Sequence, residues 1–256
     1  MNFLADSSDS LWLPPSERPI LDSGAVHVWR ASLDEKASQV DRFERTLAPD
    51  ERSRAGRFYF RRDRERFIVA RGILRDILGC YLRRTPESIS FSYSSYGKPA
   101  LVSESGAEAI RFNISHSHGT ALYVITRDRE IGVDLELIRD GLEIEQIAER
   151  FFSREEVSAL YALPVQLRTR AFFLCWTRKE AYIKARGEGL SLPLDQFEVS
   201  LVPGEPAALM GAQGDDAFRW SLRELFPAAD YAAALAVEGR DCSLSCWQWR
   251  QSSPTS

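Results

Sequence analysis

The chain has 256 residues, is 44% hydrophobic and carries a net charge of −4. That is enough apolar material for one generous core or two modest ones, and the acidic balance argues against a general nucleic-acid binder, whose phosphate-driven affinity needs a basic surface. No stretch approaches the roughly 20 apolar residues that span a bilayer, and residues 1–20 lack the basic start and long apolar run of an ordinary signal peptide, so a cytoplasmic protein with no membrane partner is expected.

In chain order, residues 1–24 are rich in Ser, Asp and Pro and read as a flexible arm. Residues 26–29 are expected to form a strand, and 38–47 a helix ended by Pro49. A run of arginines between Arg52 and Arg84 follows, and a basic segment inside an acidic chain suggests a local anionic ligand. Residues 64–82 make the strongest helix of this part, with Phe67, Ala70, Leu74, Ile77 and Leu78 at helical spacing. Short strands are expected at 91–93, 110–114 and 121–126, with a turn at Tyr96-Gly97-Lys98-Pro99.

A strand at 130–136 opens the second part, and a short helix at 144–150 follows. Ser153 with Glu156 three residues on is a capping-box pattern, which starts a further helix. The longest helix of this part is expected over 168–186, stopped by Gly187, with strands at 197–201, 218–224, 231–237 and 244–249 after it. Residues 25–128 and 129–250 therefore read as two halves, each a few strands and one long helix, with 251–256 as a tail. The likeness between them lies in element order, not in a residue repeat. The four cysteines, Cys80, Cys175, Cys242 and Cys246, have neither disulfide nor zinc spacing and are expected to be free thiols.

Three segments carry chemistry. Asp134 and Glu136 are two apart on an expected strand, so both leave one face. Adjacent carboxylates repel and call for a cation, and a hard oxygen-seeking ion such as Mg²⁺ meets that need; alone, the pair reads more readily as an exposed acidic strand face. Trp176, Glu180 and Lys184 recur every four residues along one helix face. A solvated Glu–Lys pair has that spacing too, but this helix is apolar around it, and a buried pair needs specific partners. Glu180 could complete a metal shell and Lys184 could neutralise a phosphate. Ser115 and His116, expected at a strand end, suit phosphate hydrogen bonding. A nucleophilic Ser115 or Ser117 with a histidine base is the competing reading, although no Gly-x-Ser-x-Gly elbow is present.

Taken together, Gly132-Val133-Asp134-Leu135-Glu136 and the Trp176–Lys184 helix segment, which reads Trp-x-x-Lys-Glu-x-x-x-Lys, resemble the signatures of the surfactin-type 4′-phosphopantetheinyl transferases. The segments Phe112-Asn113-Ile114-Ser115-His116-Ser117, Tyr96-Gly97-Lys98-Pro99 and Gly189-Leu190-Ser191-Leu192-Pro193-Leu194 match as well. The resemblance runs from about Pro49 to Val199. It implies an α/β (α+β) fold of two pseudo-symmetric halves, each a small, mainly antiparallel sheet packed on a long helix, with coenzyme A between them. It also implies transfer of the phosphopantetheine arm to a serine of an apo acyl or peptidyl carrier protein, by a monomer. Carried over by position, Asp134, Glu136 and Glu180 are expected to hold Mg²⁺, and Glu180 and Lys184 to be catalytic. Ser115, His116, Lys98, Arg54 and Lys184 are expected to contact coenzyme A. Glu51 stands where members of the family can carry a lysine and Phe67 where a small hydroxyl residue occurs, so Arg66 or Arg71 is expected to replace part of the 3′-phosphate pocket. Glu180 is the first choice for the base that takes the serine proton, and Glu156 the second.

Overall fold

The computed structural model describes residues 12–14, 19–102, 110–212 and 217–250. The tail 251–256 and most of the arm 1–24 lie outside the described residues. The chain runs β1 (Ala25–Ser32), α1 (Ala37–Thr46), α2 (Pro49–Ala55), α3 (Arg61–Leu82), β2 (Phe91–Tyr93), β3 (Pro99–Leu101), β4 (Ile110–Ser117), β5 (Thr120–Arg127) and β6 (Ile131–Leu137). It continues with α4 (Ile144–Phe151), α5 (Arg154–Ala162), α6 (Val165–Arg186), β7 (Phe197–Val199), β8 (Leu209–Ala212), β9 (Trp220–Leu225), β10 (Tyr231–Glu238) and β11 (Ser243–Gln248). The expected mixed architecture of small, mainly antiparallel sheets and helices is what the chain adopts.

Strand alternation builds four layers. The first sheet has the order β11-β1-β5-β4 and the second β6-β10-β9. On one face of the first sheet, Trp29, Ala31, Ala121, Tyr123 and Ile125 pack with Ile73, Leu74 and Ile77 of α3. Val26, Val28, Leu122 and Val124 leave the opposite face and meet Ile131, Val133, Leu135, Ala233 and Leu235 of the second sheet. The other face of the second sheet carries Ala232, Ala234 and Ala236, whose small side chains let α6 lie close through Ala181, Tyr182 and Ala185. Strands covered on both faces read as nearly continuous apolar runs, as β5 and β10 do.

Pairing decides several features that chain order does not. β11 runs parallel to β1 at the edge of the first sheet, so the last described strand returns to the first layer. Trp12, in the expected arm, is buried, and its indole N–H donates to the Phe226 carbonyl at 2.8 Å. Pro49 does more than end α1. It also occupies the first turn of α2, where its missing N–H costs nothing, and Glu51 accepts from the Ala48 N–H at 2.9 Å. The short strands β3 and β8 were not expected and form by pairing with β2 and β7. The expected capping box at Ser153 is present in both directions, at 2.9 and 3.2 Å.

Candidate active site

The first sheet ends at β4 and the second at β6, and these two edges lie together. No strand–strand ladder joins them; side chains do. The Asn113 side-chain oxygen accepts from the Val133 N–H at 3.0 Å, and the Ser117 hydroxyl accepts from the Leu137 N–H at 3.2 Å. Short polar side chains on an edge strand thus satisfy the backbone donors of its neighbour.

Gly132, Asp134 and Glu136 alternate along β6, with Gly132 against α6. A Cβ on Gly132 would stand 2.2 Å from the Ala181 carbonyl oxygen and 2.3 Å from the Ala185 nitrogen, so only glycine admits the α6 backbone this close. That approach brings Lys184, one turn beyond Glu180, onto the acid pair. The Lys184 ammonium lies 2.5 Å from Asp134 Oδ1 and 3.2 Å from the Ser115 hydroxyl, which itself donates to Asp134 Oδ1 at 2.9 Å. Asp134 Oδ2 is buried and makes no hydrogen bond.

The electrostatics of Glu136 and Glu180 agree with this placement. Burial raises the Glu136 pKa, the Asp134 charge raises it further, and the Ser117 hydroxyl, donating at 2.9 Å, opposes both. Glu180 is raised by burial and then by Asp134, with Lys184 pulling the other way and Glu136 adding to the rise. Three mutually repelling carboxylates therefore share one cleft with a single ammonium pressed on Asp134. Among the described residues no three carboxylate, imidazole or thiol side chains are already gathered as a metal cage. An orphaned buried carboxylate oxygen flanked by two carboxyls whose charge is unwelcome is nevertheless the donor set that a hard divalent ion satisfies.

Ser115 and His116 are not at a strand end: β4 continues to Ser117 because β5 pairs with it throughout. Alternation puts Asn113, Ser115 and Ser117 on one face and His116 on the other, so His116 is not placed as a base for either serine. Loss of hydration holds the His116 imidazole below its ordinary pKa, and the charges of Lys184, Arg66 and Arg54 add to this. Arg66 forms a two-pronged ion pair with Asp34 at 2.8 and 2.9 Å, and Arg54 lies over the Phe67 ring. Arg54 also lines a cavity of about 560 Å³ with Asp50, Glu51, Arg57, Phe58 and Tyr93.

Other expected contacts are engaged elsewhere. Lys98 reaches the C-terminal end of α6, donating to the Ala185 carbonyl at 3.0 Å and to Glu130 at 3.3 Å; desolvation lowers its pKa despite Glu130. Arg71 is buried against Glu51 at 2.5 Å, and Arg75 binds the other Glu51 oxygen at 2.8 Å. Glu51, the unexpected acid, is thus the clamp between α2 and α3, and it occupies Arg71. Glu156 is buried and accepts from the Ser153 and Val199 N–H groups and from Lys179, 2.7 Å away. Lys179 also donates to the Leu194 carbonyl at 2.7 Å. Lys179, not singled out in the sequence, precedes Glu180 by one residue, so helical spacing alone turns it off the Glu180–Lys184 face and into the core.

Two family patterns cover most of the chain. The 4′-phosphopantetheinyl transferase superfamily matches residues 130–236, and the N-terminal region of 4′-phosphopantetheinyl transferases matches residues 29–127. The 4′-phosphopantetheinyl transferase HetI of Nostoc sp. is 42% identical over 93% of this chain and 98% of its own length. The 4′-phosphopantetheinyl transferase Sfp of Bacillus subtilis is 36% identical over 69% of this chain and 77% of its own. An L-aminoadipate-semialdehyde dehydrogenase-phosphopantetheinyl transferase of Xenopus laevis is 28% identical over 75% and 68%. Among the described residues no helix is long and apolar enough to cross a membrane.

Proposed function

The chain belongs to the 4′-phosphopantetheinyl transferase superfamily, and on that premise we propose that it moves the 4′-phosphopantetheine arm of coenzyme A onto a serine hydroxyl of an apo acyl or peptidyl carrier protein, with Mg²⁺, releasing adenosine 3′,5′-bisphosphate. The observation that carries this reading is Asp134, with one oxygen on Lys184 and Ser115 and the other buried and unsatisfied beside Glu136 and Glu180.

The serine oxygen attacks the β-phosphorus of the pyrophosphate, and the phosphoanhydride bond to the adenosine side breaks. Asp134, Glu136 and Glu180 would hold Mg²⁺, which supplies charge neutralisation at the pyrophosphate when bound. Glu180 takes the serine proton as the general base. Lys184 donates to the phosphate oxygens that gain charge as the bond breaks. His116, kept neutral by its surroundings, and the Arg54 and Arg66 guanidiniums bind phosphate oxygens of coenzyme A. Lys98 fixes the end of α6 that carries Lys184 and lies near the nucleotide. Glu156 is not the base in this reading, because both its oxygens serve buried structural donors.

An acidic carrier is supported by Arg61, Arg62 and Arg64, beside which Tyr59, 92% exposed, and Phe60 offer apolar contact. These arginines hold exposed ion pairs with Glu65, Asp34 and Glu44, and such pairs are weak enough to be exchanged for a partner's acids. Both sheet edges at the cleft come from one chain, which supports action as a monomer. The test is to incubate the protein with coenzyme A, Mg²⁺ and a panel of apo carriers and to weigh the carriers. Gain of one phosphopantetheine arm supports the proposal. Unchanged carriers with release of inorganic phosphate or free phosphopantetheine would make the protein a hydrolase and overturn it.

A further inference from the structure

The acid pair on β6 is matched, one for one, by a hydroxyl pair on β4. Ser115 donates to Asp134 Oδ1 and Ser117 donates to Glu136 Oε2, each at 2.9 Å. Both pairs have the two-residue repeat of a strand, so the match is a matter of register between two edges that share no backbone ladder. The two serines differ in their other partners. Ser115 also accepts from Lys184, whereas Ser117 accepts from the Leu137 N–H at 3.2 Å.

That second contact takes up an acceptor site of the Ser117 hydroxyl. A hydroxyl has one donor. With a backbone N–H occupying an acceptor site, that proton is left for the Glu136 carboxylate, a charged and nearer acceptor than His118 Nδ1. His118 Nδ1, 3.2 Å away, and the Tyr231 hydroxyl, which donates to the Ser117 carbonyl at 3.4 Å, complete its polar surroundings. Ser117 is buried, so water does not compete for this geometry. Glu136 sits near the end of β6 and is less enclosed than Asp134, so packing holds its side chain less firmly.

We propose that Ser117 is a positioning residue that holds the Glu136 carboxylate beside Asp134, in the orientation a divalent cation requires. This rests on the magnesium-dependent reading above. Groups that orient a metal-binding carboxylate from behind typically change metal affinity by about 10–100-fold when removed.

The experiment uses the whole chain saturated with coenzyme A and Mn²⁺ as the probe, with bound and free ion separated by electron paramagnetic resonance. The Mg²⁺ concentration for half-maximal transfer and the thermal melt are measured alongside. Ser117→Ala is expected to stay folded, to weaken Mn²⁺ by about 10–100-fold and to raise the Mg²⁺ requirement in step, with a smaller loss of rate at saturating Mg²⁺. Ser117→Thr keeps the hydroxyl and restores tight binding. A folded Ser117→Ala protein with wild-type Mn²⁺ affinity overturns the inference. Should Ser117→Ala fail to fold, Ser117→Cys, of similar size with a poor donor, must show the metal defect, and wild-type affinity there overturns it equally. Wild-type protein that neither binds Mn²⁺ nor transfers the arm removes the functional reading and this inference with it; wild-type protein that does both beside an unaffected variant removes only the inference.

Discussion

Asp134 divides its two carboxylate oxygens between opposite demands: Oδ1 lies 2.5 Å from the Lys184 ammonium, while Oδ2 is buried with no hydrogen-bond partner. Asp134→Asn keeps the shape and removes the charge. It is expected to lower carrier modification by about 10³-fold, the scale on which removing one preorganised electrostatic contact acts. Mg²⁺ with coenzyme A should raise the melting temperature of the wild type by mass action and raise that of the variant less, because only its coenzyme A contacts remain. A calorimetric melt with and without both ligands checks this.

Glu180 and Glu136 have pKa values raised in the fold. The folded state therefore binds their protons more tightly than the unfolded chain does. Their charge imposes no penalty below the ordinary carboxylate pKa, and the penalty grows as pH rises from there through the raised folded values. Stability of the metal-free protein should fall across that window. Glu180→Gln should melt a few degrees higher than wild type at pH 8, given about 2–4 °C per kcal/mol for a chain of this size, and should converge with it toward pH 4 as the carboxylates take up protons. The same variant should lose transfer. Melting curves across pH, with no divalent ion present, decide it; a wild type that remains the more stable at pH 8 would contradict the assigned repulsion.

Gly132→Ala drives a methyl group against backbone atoms of Ala181 and Ala185, not against a side chain that could rotate away. The expected cost is about 2 kcal/mol or more. Activity should fall as well, because relief requires α6 to move off β6 and take Lys184 from Asp134. Denaturant titration measures the first effect and transfer assays the second.

Glu156 neutralises Lys179 in the core beneath α6. Glu156→Ala should cost about 3–5 kcal/mol, because it leaves a buried ammonium unpaired. Pairing it with Lys179→Met should recover much of that loss, and the folded fraction of either protein should turn over at close to the wild-type rate. A stable Glu156→Ala protein with no transfer would restore Glu156 as a candidate base.

Arg54→Ala should raise the KM for coenzyme A with little change in kcat, as expected for a group that binds phosphate equally in ground and transition states. Because Arg71 is taken by Glu51, Arg71→Ala should instead lower stability, leaving Glu51 short of a partner in the core. Steady-state kinetics beside a thermal melt separates the two arginines.

The elements that the chain spells locally were legible before the fold. Spacing of two placed Asp134 and Glu136 on one strand face, spacing of four placed Glu180 and Lys184 on one helix face, and Ser153 with Glu156 announced a helix start that the fold contains. These are consequences of strand and helix geometry and need no tertiary partner. Charge by itself was a poor guide. Arg66, Arg71 and Lys98 looked alike as free cations, yet one pairs with Asp34, one is buried on Glu51 and one caps α6.

By itself, then, the sequence determined the local periods, the breaks and the order of the motifs, since each depends on residues a few positions apart. Only the tertiary structure decided that β11 returns beside β1, that β4 runs on through His116 to Ser117 and that Ser117 answers Glu136. The last of these depends on which two sheet edges meet and in what register, and that register is set by the packing of Val26, Val28, Leu122 and Val124 against Ile131, Val133 and Leu135. The site is where that packing leaves two unpaired edges side by side, and polar side chains fill the gap that a backbone ladder would otherwise close.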